Sequence, residues 1–164
     1  MALAPGRGSP DASSSTGLID VDQPAPEITG ATLDGDAFDL ASLRGRPVIL
    51  NFWGPSCVPC RDEFPLFSDK LEEHATDNLT IVGILMYDSP QPARDFIEEL
   101  GATWGTVDDP SGAIRRTYRV IARPQSYFID ANGILRAIQV GAVTADRFES
   151  QYALIRPGSA TTNE

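Results

Sequence analysis

Val48-Ile49-Leu50-Asn51-Phe52-Trp53 is a nearly unbroken apolar run that stops at Gly54-Pro55-Ser56. A run so short and so rich in β-branched and aromatic residues suits a strand buried on both faces. Such a strand needs cover above and below, which sets the class as α/β: a central sheet flanked by helices. The rest of the chain follows suit. Apolar positions at helical spacing run from Val58 to His74 through Phe64, Phe67 and Leu71, with Pro65 inside the helix and expected to kink it. Thr80 to Met86 reads as a second buried strand, Ala93 to Leu100 as a helix stopped by Gly101, and Trp104 to Val107 as a brief extended piece. Ser111 to Tyr118 reads as a helix that Ser111 can cap. Ser126 to Asp130 and Ile134 to Val140 form a hairpin about Ala131-Asn132-Gly133, and Thr144 to Ile155 is a last helix closed by Pro157-Gly158. Ahead of all this, Pro26 to Leu43 alternates weakly about Asp34-Gly35, as a short hairpin does. The order predicts a mixed sheet with helices on both faces and an N-terminal β-hairpin extension.

The 164 residues fit one domain with loose ends. We expect a flexible tail or tether over residues 1–20, the domain over 21–156 and a flexible tail over 157–164. Met1 to Gly17 is rich in Ala, Pro, Gly and Ser and has no apolar stretch of the signal-peptide kind. No apolar run approaches the roughly 18 residues of a membrane span. A net charge of -10 with scattered Arg and Lys argues against nucleic acid and against an anionic membrane surface.

The chain has only two cysteines, Cys57 and Cys60, too few for a disulfide framework. Their position says more than their spacing: they follow a buried strand and open a helix. There Cys57 meets unpaired backbone N–H groups and the positive end of the helix dipole, both of which favour the thiolate. Cys60 lies on the same helix face, close enough to bridge. Cys57 can attack a partner's disulfide and Cys60 can resolve the mixed disulfide. Pro59 fits the first turn, where its missing N–H costs nothing. Zinc would need about four ligands, and His74 is the only other soft candidate. A purely structural disulfide would close too short a loop to stabilise much.

Asn51 to Pro65, N-F-W-G-P-S-C-V-P-C-R-D-E-F-P, resembles the active-site segment of TlpA-like thioredoxins, a family that includes ResA and the CcmG/DsbE reductants of cytochrome c maturation. Tyr118-x-Val120-x-Ala122-x-Pro124-x-Ser126-Tyr127-Phe128-Ile129-Asp130 resembles a second motif of that family, and Pro24-Ala25-Pro26 through Arg46-Pro47 its N-terminal extension. The resemblance covers roughly Asp22 to Ile155 and implies a thioredoxin-like fold. It implies a cis bond before Pro124 and places Pro124 opposite Cys57. Proline lowers the cost of a cis bond, and the Arg123 backbone would be left free to take a partner's chain as an added strand. An ordinary trans proline at a strand start is the plainer alternative.

Some positions depart from the pattern. Thioredoxin has a buried Asp where this chain has Asn51, so the base that serves Cys60 must lie elsewhere. The resemblance points to Asp88, expected near the sulfurs as a proton relay, with a solvated loop aspartate as the alternative. Ser56 replaces a bulky residue. Arg123 replaces a small or apolar one and is expected either to stabilise the Cys57 thiolate or to face solvent. Trp53 is expected to pack under the site. Glu63 matches a family position, though a first-turn carboxylate also simply suits the helix dipole. His74 is expected near a helix end with no catalytic role.

The resemblance implies a thiol–disulfide oxidoreductase with neither cofactor nor metal, a monomer that reduces protein disulfides in cytochrome c maturation, with apocytochrome c among its protein thiol and disulfide partners. Electrons would come from a membrane thiol donor. The setting the resemblance implies is extracytoplasmic, tethered in the full-length protein by an anchor absent from this chain. The alternatives are an oxidant or isomerase of exported proteins, a peroxiredoxin-type peroxidase or a copper chaperone. A peroxidase places Thr where this chain has Gly54, and a copper chaperone of this fold uses C-x-x-x-C with a late His.

Overall fold

The computed structural model describes residues 17–159. Of the tails expected over 1–20 and 157–164, residues 1–16 and 160–164 lie outside the described residues. Ile19, within the expected N-terminal tail, packs against the core.

The apolar run is strand β4 (Val48–Trp53), buried at every residue, between β5 (Thr80–Leu85), which runs parallel to it, and β7 (Gln125–Ile129), which runs antiparallel. Strand β8 (Ile134–Val140) pairs with β7, β6 (Thr106–Val107) with β5, and a two-residue edge strand β1 (Gln23–Pro24) with β8, giving the order β1-β8-β7-β4-β5-β6. Sequence reading had no place for β1. Proline is tolerated there because an edge strand need not donate on both sides. The expected hairpin is β2 (Thr29–Ala31) with β3 (Ala37–Asp39), joined to the main sheet by a bridge from Thr32 to Val107.

Alternation along β4 divides the core in two. Ile49 and Trp53 face α1 (Val58–Glu73), α2 (Pro90–Leu100) and α4 (Ala145–Tyr152), which contribute Phe64, Phe96 and Phe148. Val48, Leu50 and Phe52 face the other way, among Tyr118, Tyr127, Ala25, Ile28 and Leu40. The cover is therefore uneven: three helices lie on one face, and the short α3 (Ala113–Thr117) with the N-terminal segment on the other. Asn51 belongs by alternation to the α1 face, which decides what it meets.

Some element ends differ from expectation. Helix α2 begins at Pro90 rather than Ala93, because prolines at the first turn forfeit only N–H groups that have no intrahelical partner. Helix α3 has Gly112, not Ser111, at its N-cap, and the Asp109 carboxylate accepts from Ile114 N–H and Arg115 N–H. Helix α4 starts at its Thr144 cap and stops at Tyr152. No helix among the described residues is long and apolar enough to cross a membrane.

Candidate active site

Where β4 ends, Gly54 O accepts from Cys57 N–H at 3.1 Å, turning the chain so that Cys57 becomes the N-cap of α1. Cys57 and Cys60 are joined as a disulfide, their Cα atoms 5.4 Å apart. Cys57 is 5% exposed and Cys60 0%, whereas Val58 between them is 76% exposed. Pro59 lies in the first turn of α1. Trp53 lies in the core cluster that includes both cysteines, donating from Nε1 to Thr106 Oγ1 at 3.3 Å and packing its rings on Phe64 and Phe96.

One turn beyond Cys60 on the same face stands Glu63, 2% exposed. Its Oε1 accepts from Asn51 Nδ2 at 2.7 Å and its Oε2 from Val143 N–H at 2.7 Å. Burial pushes this carboxyl up to about 7, against those two hydrogen bonds, which favour the ionised form. Glu63 is thus no first-turn surface carboxylate. Asn51 Nδ2 also donates to Ser126 Oγ at 3.1 Å, across the β4–β7 pairing that sets these two residues opposite each other.

A second cluster closes the lip. Arg123 Nη1 donates to Asp88 Oδ2 and to Met86 O, each at 2.7 Å, and Nη2 donates to Ser56 Oγ at 2.8 Å. Asp88 Oδ2 also accepts from the Ser56 hydroxyl at 2.8 Å and from Ser56 N–H at 3.3 Å. Asp88 is therefore tied into an ion pair with Arg123 and hydrogen bonds with Ser56. The donors of Arg123 go to this clasp. The clasp crosses Gly54 so closely that a Cβ there would lie 2.3 Å from both Arg123 Nη1 and Asp88 Oδ2.

The Arg123–Pro124 bond is cis, and Pro124 O accepts from Gly141 N–H at 2.9 Å. Gln125 pairs with Phe52, so the register carries Pro124 to the end of β4, beside the cysteine loop. His74 caps the far end of α1, 3.2 Å from Glu149, away from this constellation.

Sequence reading missed the partnership of Glu63, Asn51, Ser126 and Val143. One signal was available: Glu63 falls three residues after Cys60, on the stripe that carries Phe64 and Phe67 into the core. Nothing local points to Ser126 or Val143.

Comparison with known proteins agrees with this geometry. The AhpC/TSA family matches residues 21–138. The thiol–disulfide oxidoreductase ResA of Oceanobacillus iheyensis is 32% identical over 125 residues, covering 76% of this chain and 65% of that protein. The thioredoxin-like protein YneN of Bacillus subtilis is 32% identical over 135 residues, covering 80% of this chain and 78% of YneN. A structure described as a putative thiol:disulfide interchange protein DsbE from Chlorobium tepidum superposes with a TM-score of 0.76 at 28% identity, covering 82% of this chain and 96% of that one. The chain belongs to the AhpC/TSA family, among its ResA-like, thioredoxin-fold thiol–disulfide oxidoreductases.

Proposed function

We propose that this protein reduces disulfides of exported proteins outside the cytoplasm, in a pathway of the cytochrome c maturation type. The observation that carries the reading is a helix-opening cysteine beside a wholly buried one, with the buried carboxyl of Glu63 one turn further on. In the reduced state the Cys57 thiolate attacks a substrate disulfide, and the substrate's other sulfur leaves as a thiolate. Cys60 then attacks Cys57 Sγ, which forms the Cys57–Cys60 bond and releases the second substrate sulfur. Two electrons pass to the substrate. Cys60 must lose a proton to act, and Glu63, with a proton affinity near neutrality, accepts it.

We assign the proton to Glu63 rather than Asp88 because the Asp88 carboxylate is committed to Arg123 and Ser56. Arg123 is assigned the task of holding the cysteine loop against the cis-proline segment. The Arg123 backbone offers a substrate chain an added-strand site. A membrane thiol donor returns the pair to the dithiol. A peroxidase site fits poorly, since a threonine at position 54 would collide with the clasp.

Equilibration against defined thiol buffers tests the direction. We expect a potential near or below about -230 mV, in the reductant range, and a value near about -120 mV would make the protein an oxidant instead.

A further inference from the structure

Asn51 is wholly buried, and while its Nδ2 donates twice, its Oδ1 has no partner among the described residues. A buried carbonyl with no protein donor holds the amide in neither orientation.

The arrangement is complete for one charge state of Glu63 only. With Glu63 ionised, Oε1 accepts from the Asn51 amide and Oε2 from Val143 N–H. When Glu63 gains a proton, Oε2 still faces a donor, so the proton belongs on Oε1. There it meets the amide N–H, donor against donor. Turning the Asn51 amide over puts Oδ1 in the place of Nδ2. It then accepts from Glu63 Oε1–H and from the Ser126 hydroxyl, which donates as readily as it accepts. Amide oxygen and nitrogen are nearly equal in size, so the same heavy-atom positions serve both states. One amide atom stays unpartnered in either orientation, Oδ1 in one and Nδ2 in the other, so the charge state of Glu63 decides between them.

We propose that Asn51 is a positioning residue that acts as a two-position rotor: its amide turns over as Glu63 gains or loses its proton, so Glu63 Oε1 keeps a hydrogen bond through both halves of the thiol–disulfide cycle. This rests on the reading of Glu63 as proton acceptor for Cys60. The polar groups on Glu63 are the Asn51 amide from β4, with Ser126 of β7 behind it, and Val143 N–H from the loop before α4, and Cys60 precedes it by one turn on the buried face of α1. No charged side chain is among the causes of its altered proton affinity. Lys70, further along α1, is engaged by Glu73 and Glu149. An aspartate at position 51 could not play this part, because two carboxyls at that separation must share a proton.

The test uses the full chain, labelled with nitrogen-15. At pH 9 the Asn51 side-chain amide protons should show Overhauser contacts to the Ser126 β-protons and the Glu63 γ-protons, and at pH 5 they should lose them. Contacts unchanged across that range would overturn the rotor while leaving Glu63 its role. A second measurement follows discharge of a Cys57 mixed disulfide against pH, where wild type should bend near 7. Asn51→Leu should slow discharge roughly ten-fold yet leave the bend within about half a pH unit, because the lost bond served both states alike. A fixed donor would instead raise the bend by about one unit, which would count against the rotor. A wild-type profile without a bend, or one unchanged in Glu63→Gln, would remove the Glu63 reading and the rotor with it.

Discussion

Glu63 is a carboxyl in an apolar interior, with a backbone N–H and an amide as its hydrogen-bond partners among the described residues. Its ordinary value of 4.5 rises to about 7 in the fold. Between those two values the folded state holds a proton that the unfolded chain has released. Stability from this group is therefore full below about pH 4.5 and is lost as pH rises to 7, by about 3 kcal/mol in all. Urea unfolding of the oxidised protein at pH 5 and pH 8 should show most of that loss in wild type, and Glu63→Gln should flatten it. At this scale the sequence is legible where chemistry and context coincide. Cys57 and Cys60 announce themselves because a strand ends and a helix begins at them. Asp88 and Glu63 are both acidic residues near the pair, and helical phase alone separates them: Glu63 shares the face of Cys60, whereas Asp88 stands in a loop where Arg123 claims it. Val143 contributes a backbone N–H, which no side-chain pattern records.

Elements are legible where periodicity is strong and blurred where termini depend on caps. Strands β4 and β8 have the limits their apolar patterns suggest, since burial on a face fixes a strand's phase. Helix α1 continues through Pro65, which stands in its interior. Helix α3 has five residues, and its start depends on a carboxylate outside it. Asp109 takes two N–H groups that a helix so short cannot satisfy itself. Asp109→Ala should cost about 1–2 kcal/mol in urea unfolding, and Asp109→Asn should recover part of it, because an amide oxygen still accepts. The Ser111 hydroxyl, the cap expected from sequence, accepts only Ala113 N–H, at 3.3 Å.

At the scale of the molecule, one aromatic cluster joins the sheet to the site. Phe64 is wholly buried, with ring centroids 4.8 Å from Trp53, 4.9 Å from Trp104 and 5.0 Å from Phe96. Phe64→Ala should lower stability by about 3–5 kcal/mol, seen as an earlier urea midpoint, because rigid rings packed edge-on from three sides cannot close on the space left. A sheet covered on both faces was legible from the apolar strands, but the uneven cover was not. That depends on Tyr118 donating from its hydroxyl to Pro26 O and on β1 pairing with β8, contacts between distant segments. The same layering shuts Cys60 away and leaves Cys57 a narrow opening. Solution therefore sees one sulfur. On the function proposed above, a partner held through Cys57 departs when the interior sulfur attacks, and that sulfur is closed to small thiols in the surroundings. The readiness of the interior sulfur is set by the fold before any partner arrives.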